Sequence, residues 1–370
     1  MHRNYGFGRI VLILLALAAV LTVSPDARSH MEAGTIWVTE RTTGGRSTVA
    51  AIDAATGESL GIVGVGDNPI GITAPAGTNK VYSSDEDADQ VSVIDKDTFA
   101  VVAQISVGDR PHHLMASRNG QYVYVAQFGM NTVGVIDTRL DEKADDLPAS
   151  HWAEARTHAV WISTNGRYLY ATNERPANPT QGTFSKIDLR SRQIVWERVV
   201  GTRPSEVLVD DDVAYVSVRN EHTIKVYDIG GSEPEFLGQA EANFQPDTLS
   251  LTNDKRTLIV GLRQNPAGRP ARMAFVDVTD VTHLATTYLE LPPGTITGHQ
   301  WLSSNGGTTY IALEGQAATL TAPAVAGRVA VVDNRTRTLV TTYLYPNGLI
   351  RPHGVFFEQP RQADLGGGLP

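Results

Sequence analysis

A short apolar run ending in Asp recurs seven times in this 370-residue chain: Val49 to Asp53, Val91 to Asp95, Val133 to Asp137, Phe184 to Asp188, Ile224 to Asp228, Met273 to Asp277 and Val329 to Asp333. The Asp residues are 42, 42, 51, 40, 49 and 56 positions apart. An earlier run accompanies each copy, seen best in Tyr122 to Ala126. A further run precedes that one, starting near Ile70, His112, His158, Ser205, Asp247, His299 and His353. A fourth run follows the Asp after a short turn, as in Ala100 to Ile105. β-Branched and aromatic residues between Gly, Asn and Asp turns read as antiparallel strands. Four strands at a period just above forty residues predict a β-propeller blade. Such a blade buries its two apolar faces only against its neighbours. The expected fold is therefore all-β: one seven-bladed propeller of four-stranded antiparallel blades over residues 30–358. No helical periodicity appears after the N-terminal run, which excludes helical solenoids.

The ends are out of phase with the repeat. The first strand-like run, Ile36 to Val38, corresponds to a second strand, and the last, Pro352 to Phe357, to a first strand. The last run should thus supply the innermost strand of the blade that residues 36–64 complete, leaving the ring without open edges. The polar, Gly-rich residues 359–370 read as a flexible tail.

The N-terminus has the pattern of a secretory signal peptide. His2, Arg3 and Arg9 precede the 14-residue apolar run Ile10 to Val23, and Ala27-Arg28-Ser29 offers a small-residue cleavage site. Fourteen residues fall short of the roughly 20 needed to span a bilayer. Cleavage is expected near His30, with the mature chain secreted or periplasmic, monomeric and free of transmembrane segments. The formal charge is −9, and residues 1–29 carry three Arg and one Asp, so cleavage would take it to −11. An acidic surface repels a phosphate backbone, so nucleic acid is not an expected partner. There is no cysteine, which excludes disulfides and thiolate metal sites.

The second-strand runs Tyr170-Ala171-Thr172-Asn173 and Trp37-Val38-Thr39-Glu40, with the pattern of Asn131 to Asp137, resemble the Tyr-Val-Thr-Asn (YVTN) repeat propellers of secreted proteins. The resemblance covers essentially the whole mature chain. It implies the propeller fold and does not imply an activity. No Gly-His…Trp-Asp pairing recurs, so WD40 repeats are the weaker parallel.

Aligning the starts of the first strands gives Asn68, Arg110, Arg156, Arg203, Gln245, Thr297 and Arg351 at one position. Two residues on come Ile70, His112, His158, Ser205, Asp247, His299 and His353, with His113 and Glu206 beside them. Residues i and i+2 share a strand face, so each Arg is expected above its His around one mouth of the channel. The longer loops, Asn173 to Gly182, Arg263 to Arg272 and Glu314 to Arg328, fall on that face. Arg110, His112, His113, Arg156, His158, Arg203, Glu206, Asp247, His299, Arg351 and His353 are the candidate ligand-binding residues. Arg holds carboxylate or phosphate bidentately, which points to an anionic small molecule or a protein partner such as an acidic peptide terminus. His112, His158, Asp247, His299 and His353 form an alternative set for a divalent transition metal.

Other motifs are weaker. Gly57-Glu58-Ser59-Leu60-Gly61 matches G-x-S-x-G, but its place between third and fourth strands reads as a hairpin turn and not a nucleophile elbow. Asp85, Glu86, Asp87 and Asp89 read as a solvated loop, with weak calcium binding as the alternative. Phe128 and Met130 lie in a loop on the functional face. Two readings follow: an exported binding module with an Arg/His-lined mouth, or a lactonase-like hydrolase or metal-dependent oxidoreductase that uses the channel histidines.

Overall fold

The computed structural model describes residues 31–42, 46–263, 270–316, 324–345 and 351–360. The expected leader at 1–29, and residues 361–370 of the expected tail, lie outside these described residues. Within them the chain forms seven antiparallel four-stranded sheets and three single-turn 3-10 segments. Blade 2 runs Pro69–Thr73, Lys80–Asp85, Gln90–Asp95 and Ala100–Ser106, from the channel outward. Blades 3 to 7 repeat that order. Blade 1 is composite: Pro352–Glu358 lies innermost, then Thr35–Glu40, Thr48–Asp53 and Ser59–Gly64. The closure expected from the out-of-phase ends is therefore present. Trp37 pairs with Phe356 across it, and the Trp37 indole donates to Glu358 Oε2 at 3.0 Å.

The apolar core lies between blades. Tyr82, Val91 and Val93 of blade 2 pack with Val123, Val125 and Ile136 of blade 3. Each such fully buried side chain contributes about 1.5–3 kcal/mol. The recurring tyrosines belong to this packing, as expected. Tyr82 and Tyr310 are fully buried, and the Tyr82 hydroxyl donates to Asp141 Oδ1 at 2.6 Å.

One irregularity recurs in all seven blades and positions the site. Where the inner strand pairs with the second strand, the register slips and the inner strand carries an extra residue. A β-bulge of this kind bends the strand and re-aims its side chains. It lets His112 and His113, adjacent in sequence, both join the histidine cluster in the channel. In four blades a second-strand hydroxyl satisfies the bulged backbone. Thr39, Ser84, Thr172 and Ser217 accept N–H bonds from Gly354, Gly71, Ala159 and Glu206 at 2.7–3.2 Å. The same hydroxyls donate onward to carbonyls of the next inner strand: Ile70, His112, Ser205 and Asp247. This gives a physical reason for a hydroxyl at the third position of the repeat. Gly71 and Gly354 sit in these bulges because a Cβ there would lie 2.9 and 2.4 Å from the next strand's carbonyl oxygen.

Two minor motifs resolve here. Gly57 turns with φ +76°, and Ser59 opens an exposed edge strand, so no elbow forms. The acidic run is not a solvated loop throughout, because Asp85 and Glu86 are buried. Asp85 accepts bonds from Ser92, Gly66, Ser83 and Gln90. Burial pushes its carboxyl up, these bonds oppose the shift, and the value stands at about 6.

Candidate functional site

The aligned starts of the inner strands do surround one mouth, but Arg110, Arg203 and Arg351 pair sideways with glutamates of the preceding blade. Asn68, Arg110 and Arg203 have left-handed backbone (φ 54–57°) and precede their strands, so the shared-face rule does not govern them. They turn sideways toward the preceding blade. Arg110 pairs with Glu86, Arg203 with Glu174 at 3.3 Å, and Arg351 with Glu314 at 3.5 Å. Arg156 is exposed and has no carboxylate partner among the described residues. Its guanidinium lies 5.9 Å from the Phe128 ring centre, on which Arg110 also rests at 5.0 Å.

The partners come from a position the strand-start alignment does not sample. Four residues after Trp37, Tyr82, Tyr124, Tyr170, Tyr215, Ile259 and Tyr310 of the second strands stand Arg41, Glu86, Phe128, Glu174, Arg219, Arg263 and Glu314. Backbone bonds tie this position to the start of the inner strand, as in Glu86 N to Asn68 O and Arg219 N to Arg203 O. Aligning the second strands would have revealed it. Two interleaved rings therefore line the mouth. Their seven arginines outnumber Glu86, Glu174, Glu314 and Asp247, the carboxylates they pair with.

Below this ring the histidines close the channel. Ring centres are 4.3 Å apart for His112 and His158, 5.0 Å for His112 and His113, 4.2 Å for His113 and His299, and 4.5 Å for His299 and His353. His113 of blade 3 reaches across the axis to Glu206 Oε2 of blade 5 at 3.0 Å and to His299 of blade 7. Burial, then neighbouring imidazole or arginine charge, holds His112, His158, His299 and His353 well below the ordinary imidazole value, so they are neutral at pH 7. Burial raises the Glu206 carboxyl, and His113 opposes the rise. Asp247 is buried between Arg219 and Arg263. Burial pushes its carboxyl up, but the two guanidinium charges outweigh this and hold it well below the usual range.

The five expected metal ligands do not converge as one set. Asp247 spends its oxygens on arginines, and His353 Nδ1 lies 2.7 Å from Glu314. The group with one ring nitrogen each within 4.8 Å of the others is His112, His113 and His158. Phe128 packs on His112 and His158 at 5.4 and 5.6 Å, while Met130 stays at the surface.

On the far side of the histidine layer lies a cavity of 590 Å³. His113, Glu206 and His299 form one end of it, and Trp161, Leu249 and Trp301 are among its walls. Its rim includes Arg118, Thr164, Lys255 and Ser304, from the loops between the first and second strands of blades 3, 4, 6 and 7. The cavity and the arginine mouth are thus separate compartments with the histidines between them. Among the described residues, no helix is long and apolar enough to cross a membrane.

No family model matches the chain, and no curated protein resembles it in sequence. Solved structures match its fold. The periplasmic gluconolactonase PpgL of Pseudomonas aeruginosa aligns over 89% of this chain and 100% of its own, with TM-score 0.66 and 18% identity. Hydrazine synthase of Kuenenia stuttgartiensis aligns over 81% and 90%, with TM-score 0.60 and 18% identity. The dihydro-heme d1 dehydrogenase NirN, in complex with DHE, aligns over 87% and 75%, with TM-score 0.58 and 16% identity. At such identities the likeness is one of fold: this chain is a seven-bladed β-propeller whose structural neighbours include lactonases and other enzymes.

Proposed function

We propose that the protein is an exported binding module of the YVTN-repeat type, whose arginine-rich mouth captures a small anionic molecule. The observation that carries this reading is the cluster of seven arginines at one mouth, among them the exposed Arg156 with no carboxylate partner among the described residues, in a chain whose overall charge is −9. A local cationic mouth on an acidic surface concentrates anions by focusing the field. Arg156 is the residue to test, because it is exposed and unpaired by carboxylate. Arg156→Ala should weaken binding by about 1.5–3 kcal/mol, the scale of a charge-assisted hydrogen bond, and leave the melting temperature unchanged. Calorimetry against a panel of di- and tricarboxylates and sugar phosphates checks this. Equal affinities for the variant and the wild type would remove the mouth from consideration.

A second reading, a lactonase-like hydrolase, draws on the buried His113–Glu206 pair at the end of the cavity. A histidine oriented by a carboxylate is a general-base arrangement. On this reading, sugar lactones should be hydrolysed by the wild type and at least about 100-fold more slowly by Glu206→Gln. Absence of turnover across such a panel rejects it.

A further inference from the structure

We propose that His112, His113 and His158 form a three-imidazole site for a divalent first-row transition ion, set in the channel between the arginine mouth and the cavity. This goes beyond the anion-binding reading and does not depend on it. The first support is the fixing of the rings. His112 Nδ1 lies 3.2 Å from the His158 carbonyl, and His158 Nδ1 lies 2.7 Å from the Ser205 carbonyl. A carbonyl only accepts, so each Nδ1 carries the proton and each Nε2 keeps its lone pair. His113 Nδ1 faces the Glu206 carboxylate, with the same consequence. Anchoring one ring nitrogen on a carbonyl or carboxylate is how metal-binding histidines are oriented.

The second support is an orphan. His113 Nε2 is buried and has no hydrogen-bond partner. A buried acceptor without a partner is costly and calls for an explanation, such as a bound ion. One ring nitrogen of each of the three histidines lies within 4.8 Å of the others, and imidazole nitrogen suits zinc, cobalt, nickel or copper over calcium or magnesium.

Two adjustments are required. Metal–nitrogen bonds are about 2.0–2.1 Å for zinc, so nitrogens now up to 4.8 Å apart must draw in. Arg219 Nη2 lies 3.3 Å from His158 Nε2 and must leave it, while keeping its pair with Asp247. The arginines do not forbid the ion: Arg110 pairs with Glu86, Arg219 shares Asp247 with Arg263, and the Glu206 carboxyl group stands beside His113. Three protein nitrogens leave an open coordination position for water or a ligand atom.

The test uses the full chain without a polyhistidine tag, stripped with chelator and titrated with Co²⁺, with Zn²⁺ as competitor. One equivalent should bind, with a visible absorption band that Zn²⁺ abolishes. His112→Gln and His113→Gln should each weaken binding at least 100-fold with far-UV circular dichroism unchanged, and Arg139→Ala, in an exposed turn of blade 3, should bind as the wild type does. Should the histidine variants not fold, X-ray absorption of the zinc-loaded wild type decides alone, by showing three imidazole ligands. No stoichiometric binding by the wild type, unchanged binding in both histidine variants, or an oxygen-only zinc shell would overturn the proposal. Failure here leaves the arginine mouth untouched, because the Arg156 calorimetry is read without metal.

Discussion

Deleting residues from Pro352 onward should abolish the native fold. The strand Pro352–Glu358 supplies the inner edge of blade 1 and fills the ring between the inner strands of blades 7 and 2. Val355 and Phe357 are buried in the cluster that joins blades 1 and 7, and Phe357 stacks on Tyr310 with ring centres 5.2 Å apart. Losing these two side chains alone removes about 1.5–3 kcal/mol each. The truncation also opens unpaired edges on either side of the gap, a template for aggregation. Set against a total stability of about 5–15 kcal/mol, the result should be insoluble or aggregated protein. Size-exclusion chromatography and a thermal melt check this. A monomeric product with the wild-type melting temperature would contradict the closure.

Asp247→Ala should be the most destabilising single substitution at the site. The carboxylate is almost fully buried and is shared by Arg219 and Arg263. Its removal leaves both guanidinium groups without that partner. Arg263 retains Glu314 at 3.6 Å, but Arg219 has no second carboxylate among the described residues. Breaking a buried pair from one side costs about 3–5 kcal/mol. Asp247→Asn keeps the shape and part of the hydrogen bonding, so it should cost less. The pH dependence has a definite sign. The folded carboxyl is depressed below its unfolded value, so its contribution is complete above the ordinary carboxylate pKa of about 4. It disappears as pH falls through the lower folded value. The gap between the wild type and Asp247→Ala in denaturant melts should therefore hold from pH 7 to about pH 5 and close only in stronger acid. Equal midpoints at pH 7 would mean that the Arg219–Asp247–Arg263 group is dispensable.

Much of the architecture is legible in one dimension because a propeller is a repeat. Each blade needs the same alternation, the same turns and the same large side chain in its second strand, aromatic in six blades and Ile259 in the other, so seven imperfect copies reinforce one another. The out-of-phase ends revealed the closure for the same reason, since a ring must complete its last blade. The histidines were also legible, as four of seven residues at one aligned position.

What the sequence could not show arises where the repeat breaks its own geometry. The bulge in every inner strand cancels the two-residue period locally, so His112 and His113 both join the channel cluster, and the left-handed backbone of Arg110 and Arg203 turns them toward neighbouring glutamates. The reach of His113 across the axis to Glu206 and His299 joins blades 3, 5 and 7, which no spacing within a single repeat encodes. Pairing of charge is likewise a tertiary fact. Arg110, Arg203 and Arg351 read alone are an anion trap, and only the packing of one blade against the next shows that Glu86, Glu174 and Glu314 already hold them. The chain by itself showed the repeat and the aligned positions at the starts of the inner strands. The curvature of seven sheets closed on one axis decided which of them meet.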